Sequence, residues 1–326
     1  MTFSASLLLF CLVTLPWLFV INKKKWLDHM ILMEHGMCYI AHVRAILEHL
    51  PQHRGMANAF LNGDQGFREK MNNMQEIIAT DIQAIDDCMS RHPLPRTLTS
   101  RWDLIKSNWH NLKNSVNTIS PNESFERHSA IVTDILSLIS DSADDMRISA
   151  HPDNNLQQIA KTTFNLLPAT IEVIGQARGI GTGAAAKGIV VTAVRIKLQF
   201  LHDRLTKTLS TTQQTINSCL QNAGAQFMVK QQSISNSFAN TQNFLSTISE
   251  NMLTTGPSKI SAEEYFSSGS KAFDSNIQLF DAISLALGAD LSERIPRQKA
   301  NLRWMILGSA TLLVASLIFW WQFILI

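Results

Sequence analysis

The stretch MEHGMCYIAHVRAILEHL, residues 33–50, decides the fold class. Its apolar residues Met33, Met37, Ile40, Val43, Leu47 and Leu50 recur at three and four, the period that lines one face of an α-helix; a half-buried strand alternates every two residues instead. The same spacing returns in Ile131, Ile135 and Leu138, and in the ladder Val194, Leu198, Leu201, Leu205, Leu209 and Ile216. No segment between the two ends passes the test for a strand, so the expected class is all-α. Pro51, the pair Pro93 and Pro95, Pro121, Pro152, Pro168 and Gly256-Pro257 are expected to divide the chain into helical pieces. Ser120 before Pro121 reads as an N-cap with proline at the first helical position. Asp153 or Asn154 begins another helix, which Pro168 then kinks or breaks. The Gln-, Ser-, Thr- and Asn-rich segment 188–253 keeps its apolar ladder, which favours a long antiparallel hairpin turning near Asn222-Ala223-Gly224 over a disordered linker. Ser261 with Glu264 reads as a capping box opening a last helix, expected to run to about Leu287 and break at Gly288.

Working outward, both ends change character. Of 326 residues, 45% are hydrophobic and 17% charged, and neither Met1 to Asn22 nor Trp304 to Ile326 holds a charged side chain. Each is long enough to cross a hydrocarbon core of about 30 Å as a helix. The expected organisation is a transmembrane helix at 1–22, a helical region at 23–303 and a second transmembrane helix at 304–326. The first span lacks a basic leader and a small-residue cleavage site, so it reads as an uncleaved anchor. Lys23, Lys24 and Lys25 follow it, and Arg294, Arg297, Lys299 and Arg303 precede the second. The positive-inside bias therefore places the middle region in the cytoplasm. A net charge of +2, without a basic run interleaved with aromatics, argues against a nucleic-acid partner.

Catalysis and metal chemistry find little support. Gly179-Ile180-Gly181-Thr182-Gly183 follows no strand, Lys187 is misplaced for a phosphate loop, and neither a Gly-x-Ser-x-Gly elbow nor a His-Glu-x-x-His pair occurs. No enzyme is expected. The cysteines Cys11, Cys38, Cys88 and Cys219 are far apart and form no CxxC pair. His35, Cys38, His42, His49 and His53 lie mostly on one helical face, but His35 to His49 spans about 21 Å at 1.5 Å per residue. At most His35, Cys38 and His42 converge, so neither a metal nor another cofactor is assigned.

Two internal stretches echo each other. Residues 52–63 and 176–184 each set an Arg-Gly pair, Arg54-Gly55 and Arg178-Gly179, before a run of small residues. Small side chains let helices approach closely, and an arginine held there offers a planar fork of donors to an anion or a carboxylate. Helix packing beside an ordinary surface arginine explains the same pattern.

Three blocks in order, namely Leu50 to Asp64, His151-Pro152-Asp153 through Leu167-Pro168 to Gly175-Gln176-Ala177-Arg178-Gly179, and Glu264-Tyr265-Phe266 through Phe280-Asp281-Ala282 to Glu293-Arg294, resemble the nitrate- and nitrite-sensing (NIT) domain and related helical sensor regions of bacterial chemoreceptors. The resemblance covers about half of the middle region. It implies two stacked four-helix bundles with a cluster of arginines gripping a small anion between them. Arg54 and Arg178 match that cluster, and His53 stands where nitrate binders tend to carry a second arginine. His53 is then a conditional third donor, charged when protonated near pH 6.5. Family members usually continue into a signalling module, and here the chain ends with its second span. The expected protein is thus a two-span sensor of the bacterial inner membrane that reports a small anion to a separate output protein, its long helices compatible with a homodimer. Chemoreceptor relatives face the periplasm, whereas the charge argument, which rests on this chain, keeps the middle region cytoplasmic. The competing expectation is a non-catalytic scaffold that uses the bundle for protein contacts.

Overall fold

A computed structural model describes residues 3–92, 94–150, 153–222 and 231–324, with the side chains at 3–13, 220–222 and 323–324 outside the description. The expectations placed on Pro93, Pro152 and the turn at Ala223-Gly224 fall outside the described residues. The rest is almost wholly helical: α1 (Phe3–Leu61), α2 (Phe67–Arg91), α3 (Arg96–Ser115), α4 (Pro121–Asp145), α5 (Asn154–Lys161), α6 (Leu167–Ala186), α7 (Thr192–Asn222), α8 (Gln231–Met252) and α9 (Ala262–Ile324).

Helix starts follow their capping chemistry. Ser120 Oγ accepts from the Glu123 backbone N–H at 3.2 Å, ahead of Pro121. Asp153 caps α5 by accepting from Asn155 N and Leu156 N. At α9, Glu264 N donates to Ser261 Oγ while Ser261 N donates to Glu264 Oε2, each at 3.2 Å, which satisfies two otherwise orphaned donors reciprocally.

Proline and glycine punctuate the helices less than expected. α1 runs through Pro51 and α9 through Gly288 and Pro296. An interior proline costs about 3 kcal/mol, but the buried face continues across it from Leu47 and Leu50 to His53, Arg54 and Ala57, and packing of that face outweighs the lost hydrogen bond. Glycine costs only about 1 kcal/mol relative to alanine, too little to end a well-packed helix. Pro168 is accommodated differently. A π-helical turn at Thr162–Leu166 widens the backbone between α5 and α6, so that proline falls in the first turn of α6, where its missing N–H is tolerated.

The expectation of no strand is corrected in a small way. Ile189–Val190 (β1) pairs antiparallel with Gly256–Pro257 (β2), Ile189 opposite Pro257 and Val190 opposite Gly256. This ladder ties the α6–α7 connection to the α8–α9 connection and satisfies backbone groups of both loops.

The chain forms two compact units. The first, residues 1–34 and 288–326, consists of the outer parts of α1 and α9. In α9 an 18-residue window has a mean hydropathy of 1.8 and is only 6% buried, with Leu312, Val314, Ile318, Trp320 and Trp321 exposed. This helix is long and apolar enough to cross a membrane. Leu15, Leu18 and Phe19 of α1 are exposed as well.

The second unit, residues 35–287, holds the main core. Its first group of helices is α1 to α4. Trp102 Nε1 of α3 donates to Asp86 Oδ1 of α2 at 2.7 Å, and His49 of α1 meets Asp81 of α2 at 2.6 Å. The other group, α6 to α9, shares a continuous core that includes Ile174, Leu201, Phe244, Leu245, Tyr265 and Phe273. The ladder of α7 is buried at Leu198, Leu201, Leu205, Leu209 and Ile216, as its spacing predicts. Arg44 pairs with Asp281 at 3.0 Å, while Arg54, further along α1, and Phe273, earlier in α9, both approach Gly175. Within this unit α1 and α9 are therefore neighbours running antiparallel.

Gly181, two residues beyond the Arg178-Gly179 dipeptide, is tightly covered by a side chain of α9. A methyl group there would overlap the ring of Tyr265, whose buried hydroxyl donates to the Ala177 carbonyl at 3.1 Å. Gly55 and Gly179, by contrast, have open space around them. Gly181→Ala is expected to lower stability by about 1–3 kcal/mol through overpacking, read as a lower urea midpoint at unchanged slope; Gly179→Ala should leave the midpoint where it is or raise it.

Candidate functional site

Arg54 and Arg178 lie far apart in sequence, yet both reach the region where α1 and α4 meet α6 and α9. His53 and Arg54 are consecutive on α1, about 100° apart around the helix, so they face different neighbours.

Arg54 is 3% exposed and turns toward α6. Its Nη1 and Nη2 donate to the two carboxylate oxygens of Glu172 at 2.7 and 3.2 Å, a bidentate fork. Nη1 also donates to Ser129 Oγ of α4 at 3.0 Å, and the guanidinium lies 5.0 Å from the centre of the Phe125 ring. Glu172, 5% exposed, further accepts from Gln176 Nε2 at 2.7 Å.

Arg178 lies on α6 as Glu172 does, six residues further along. It is 8% exposed and held between the rings of Phe266 and Phe273, with centroids 5.1 and 4.8 Å away. Its Nη1 donates to Ser270 Oγ at 3.0 Å, and among the described residues no carboxylate comes within ion-pair distance of it. Burial is the largest influence on its acidity and lowers its pKa to about 10, with the charge of Asp274 working against that shift and the charge of Arg54 adding to it. Arg178 remains a cation at neutral pH. Gly269 makes room for it: a methyl there would meet Arg178 Cγ at 2.8 Å and Cβ at 2.9 Å. Gly175 faces Arg54; its added methyl would touch Arg54 Nη2 at 3.5 Å, Phe273 at 3.6 Å and Glu172 Oε2 at 3.7 Å.

His53 does not join this pair. It turns toward α2 and α4 and is fully buried in a directional chain. His128 Nδ1 donates to the Ser124 carbonyl at 2.6 Å, which leaves His128 Nε2 to accept from His53 Nδ1 at 2.8 Å. His53 Nε2 in turn accepts from Gln75 Nε2 at 3.1 Å. Both imidazoles are neutral in this arrangement, and Trp109 packs edge-on against His53 with centroids 4.9 Å apart. Burial, then the charges of His128 and Lys113, push the His53 pKa down to about 3. Burial also takes His128 to about 4, opposed by its backbone hydrogen bond and aided by the charge of Arg54. The expectation that His53 gains a charge near pH 6.5 is therefore corrected, because its surroundings desolvate the imidazolium and present no anion to it.

The residue that the sequence reading passed over is Glu172. The signal was there: one charge in the otherwise uncharged run 162–177, where a buried carboxylate must be paired. An open groove of about 450 Å³ between α8 and α9, lined by residues such as Asn240, Asn243, Glu263 and Lys271, includes neither arginine. Of the histidine-rich face of α1, His35 stacks against His92, His49 pairs with Asp81, and His42 gathers with Cys38 and with Cys88 of α2.

Comparison with known proteins fits this arrangement. No curated protein matches the chain in sequence. A solved structure of the NasR transcription antiterminator shares the fold, with a TM-score of 0.59 at 15% identity over 90% of this chain and 82% of that one. The family model described as nitrate and nitrite sensing matches residues 45–291, a span that holds Arg54, Glu172 and Arg178. The chain belongs to the nitrate and nitrite sensing (NIT) family.

Proposed function

We propose that this protein is a membrane-anchored, non-catalytic sensor in which a small planar oxyanion, nitrate or nitrite in kind, competes with Glu172 for Arg54 and is gripped by Arg178 as well. The observation that carries this reading is two buried guanidiniums on different helices, Arg54 forked on Glu172 and Arg178 held by two aromatic rings and Ser270 with no carboxylate at ion-pair distance among the described residues. A carboxylate and nitrate present the same planar pair of oxygens to an arginine fork, so Glu172 occupies the place that the anion takes. With one anion added, the charges of Arg54 and Arg178 are balanced by Glu172 and the ligand together, and Asp274 must then be screened or protonated. Burial already raises the Asp274 pKa from its ordinary value, with the charge of Arg178 opposing the shift.

In this reading α1 to α4 and α6 to α9 are the two stacked bundles, and the anion alters their contact. α1 carries Arg54, α9 carries the aromatic residues around Arg178, and the same two helices hold the apolar ends of the chain. The proposed organisation has both ends in the bacterial inner membrane, the middle region in the cytoplasm, and the signal passed to a separate output protein.

Calorimetric titration of the full chain in detergent with nitrate, nitrite and chloride tests the reading. Nitrate or nitrite is expected to bind, and Arg178→Ala to abolish the heat. Glu172→Gln removes the competitor and should bind nitrate at least about tenfold more tightly, as one lost charge-assisted bond of about 1.4 kcal/mol predicts. No heat with any anion in either the wild type or Glu172→Gln would sink the proposal. One observation favours the alternative of a scaffold: Arg54 is already saturated by Glu172 and Ser129. That alternative predicts the same silence in both proteins.

A further inference from the structure

A second cluster lies about 24 Å along α1 from Arg54, counting 1.5 Å per residue from Cys38. Cys38 and His42 are one helical turn apart and share a face. Cys88 of α2 completes the group, and the ligand atoms of Cys38, His42 and Cys88 all lie within 4.8 Å of one another. The two sulfurs are 3.3 Å apart as free thiols. In a tetrahedral zinc site with Zn–S distances of about 2.3 Å and Zn–N of about 2.0 Å, two sulfurs stand roughly 3.8 Å apart and a sulfur and a nitrogen roughly 3.5 Å, so an ion needs the thiols to part by about half an ångström and the His42 ring to close in by about an ångström. We propose that Cys38, His42 and Cys88 form a zinc site that clamps α1 to α2, with a water molecule as fourth ligand.

Charge selects the ion. Cys88 is fully buried, and Cys38 and His42 are partly exposed, which leaves an entry path on the α1 side. A thiolate buried at Cys88 needs a compensating cation. A divalent zinc bound by two thiolates and a neutral imidazole is neutral overall, and binding releases two thiol protons to solvent. Copper(I) in the same place would leave a net negative charge in the core, and hard cations such as magnesium prefer oxygen ligands. One further group fits. The Tyr39 hydroxyl, on the residue next to Cys38, is fully buried with no hydrogen-bond partner among the described residues. Donating to a thiolate is the role such an outer-shell hydroxyl plays around a metal.

The test uses the full chain, purified in detergent under reducing conditions. After loading with zinc and dialysis against metal-free buffer, elemental analysis should find about one zinc per chain, and thermal unfolding should shift upward with zinc in the reduced protein. Cobalt(II) in place of zinc should give thiolate-to-cobalt charge-transfer absorption. Cys38→Ser and Cys88→Ser should each remove that band and weaken zinc retention by ~100-fold or more, while Cys219→Ser should keep both. Far-UV circular dichroism establishes that each variant is helical. Should the variants misfold, the cobalt spectrum of the wild type still decides, since it reports thiolate ligation directly. A wild-type spectrum without that band, or a band that survives in the Cys38→Ser/Cys88→Ser double variant, overturns the assignment; a thiol pair that yields only a disulfide on oxidation and takes up no metal overturns it equally.

Discussion

Arg54→Ala is expected to destabilise the helical region by about 3–5 kcal/mol, the usual consequence of leaving one member of a buried ion pair without its partner. The loss arises from Glu172, which is 5% exposed in the native protein and, among the described residues, retains Gln176 as its donor. Replacing both partners by apolar residues of similar size, as in Arg54→Met/Glu172→Leu, removes the uncompensated charge. That double variant should lie well within the sum of the two single losses, close to the wild type or above it. Urea unfolding of the four proteins forms a double-mutant cycle. Additive losses would mean that the fork between Arg54 and Glu172 is not the interaction that matters at this position.

This coupling shows what the sequence could and could not disclose. The Arg-Gly echo pointed to Arg54 and Arg178 because it is local: each pair lies within a few residues of the small side chains that surround it. The all-α class was legible for the same reason, since the ladders of α1 and α7 are written at helical spacing. Pro51 misled because its effect depends on what the helix buries on either side, and the packed face from Leu47 to Ala57 outweighs a single missing N–H. The neutrality of His53 was illegible because His128 and Gln75 come from other helices and carry no pattern that marks them. Cys88 was missed likewise: the spacing on α1 offered His35, and only the packing of α2 replaces it with a second thiol. Glu172 was legible in principle, as a solitary charge in an apolar helix.

The acid response of this protein should be dominated first by His53 and His128. Both have folded pKa values below the ordinary histidine value, about 3 and about 4, because burial disfavours their charged forms. The unfolded chain takes up their protons near pH 6.5 while the native state does not, so the stability they contribute is complete above that pH. It declines as pH falls toward their native values. Between pH 7 and pH 5 each histidine should cost about 2 kcal/mol, and the pair about 4 kcal/mol, at 1.36 kcal/mol per pKa unit. For a region of this size that is a drop in Tm of about 10 °C. His49 works in the opposite sense, since its hydrogen bond to Asp81 raises its pKa. Its stabilisation is complete below about pH 6.5 and is lost only as pH rises through its raised value, so it does not mask the decline. Asp274 and Asp281, whose pKa values burial raises, take up protons in the native state first and offset part of the loss at the acid end. Urea midpoints measured from pH 8 to pH 5 provide the check. The wild type should bind up to two extra protons on unfolding near pH 5, and His53→Gln/His128→Gln should lose that uptake although it starts from a lower stability. A wild type whose midpoint is flat from pH 7 to pH 5 would show that the two imidazoles reach water, or charge, within the native bundle.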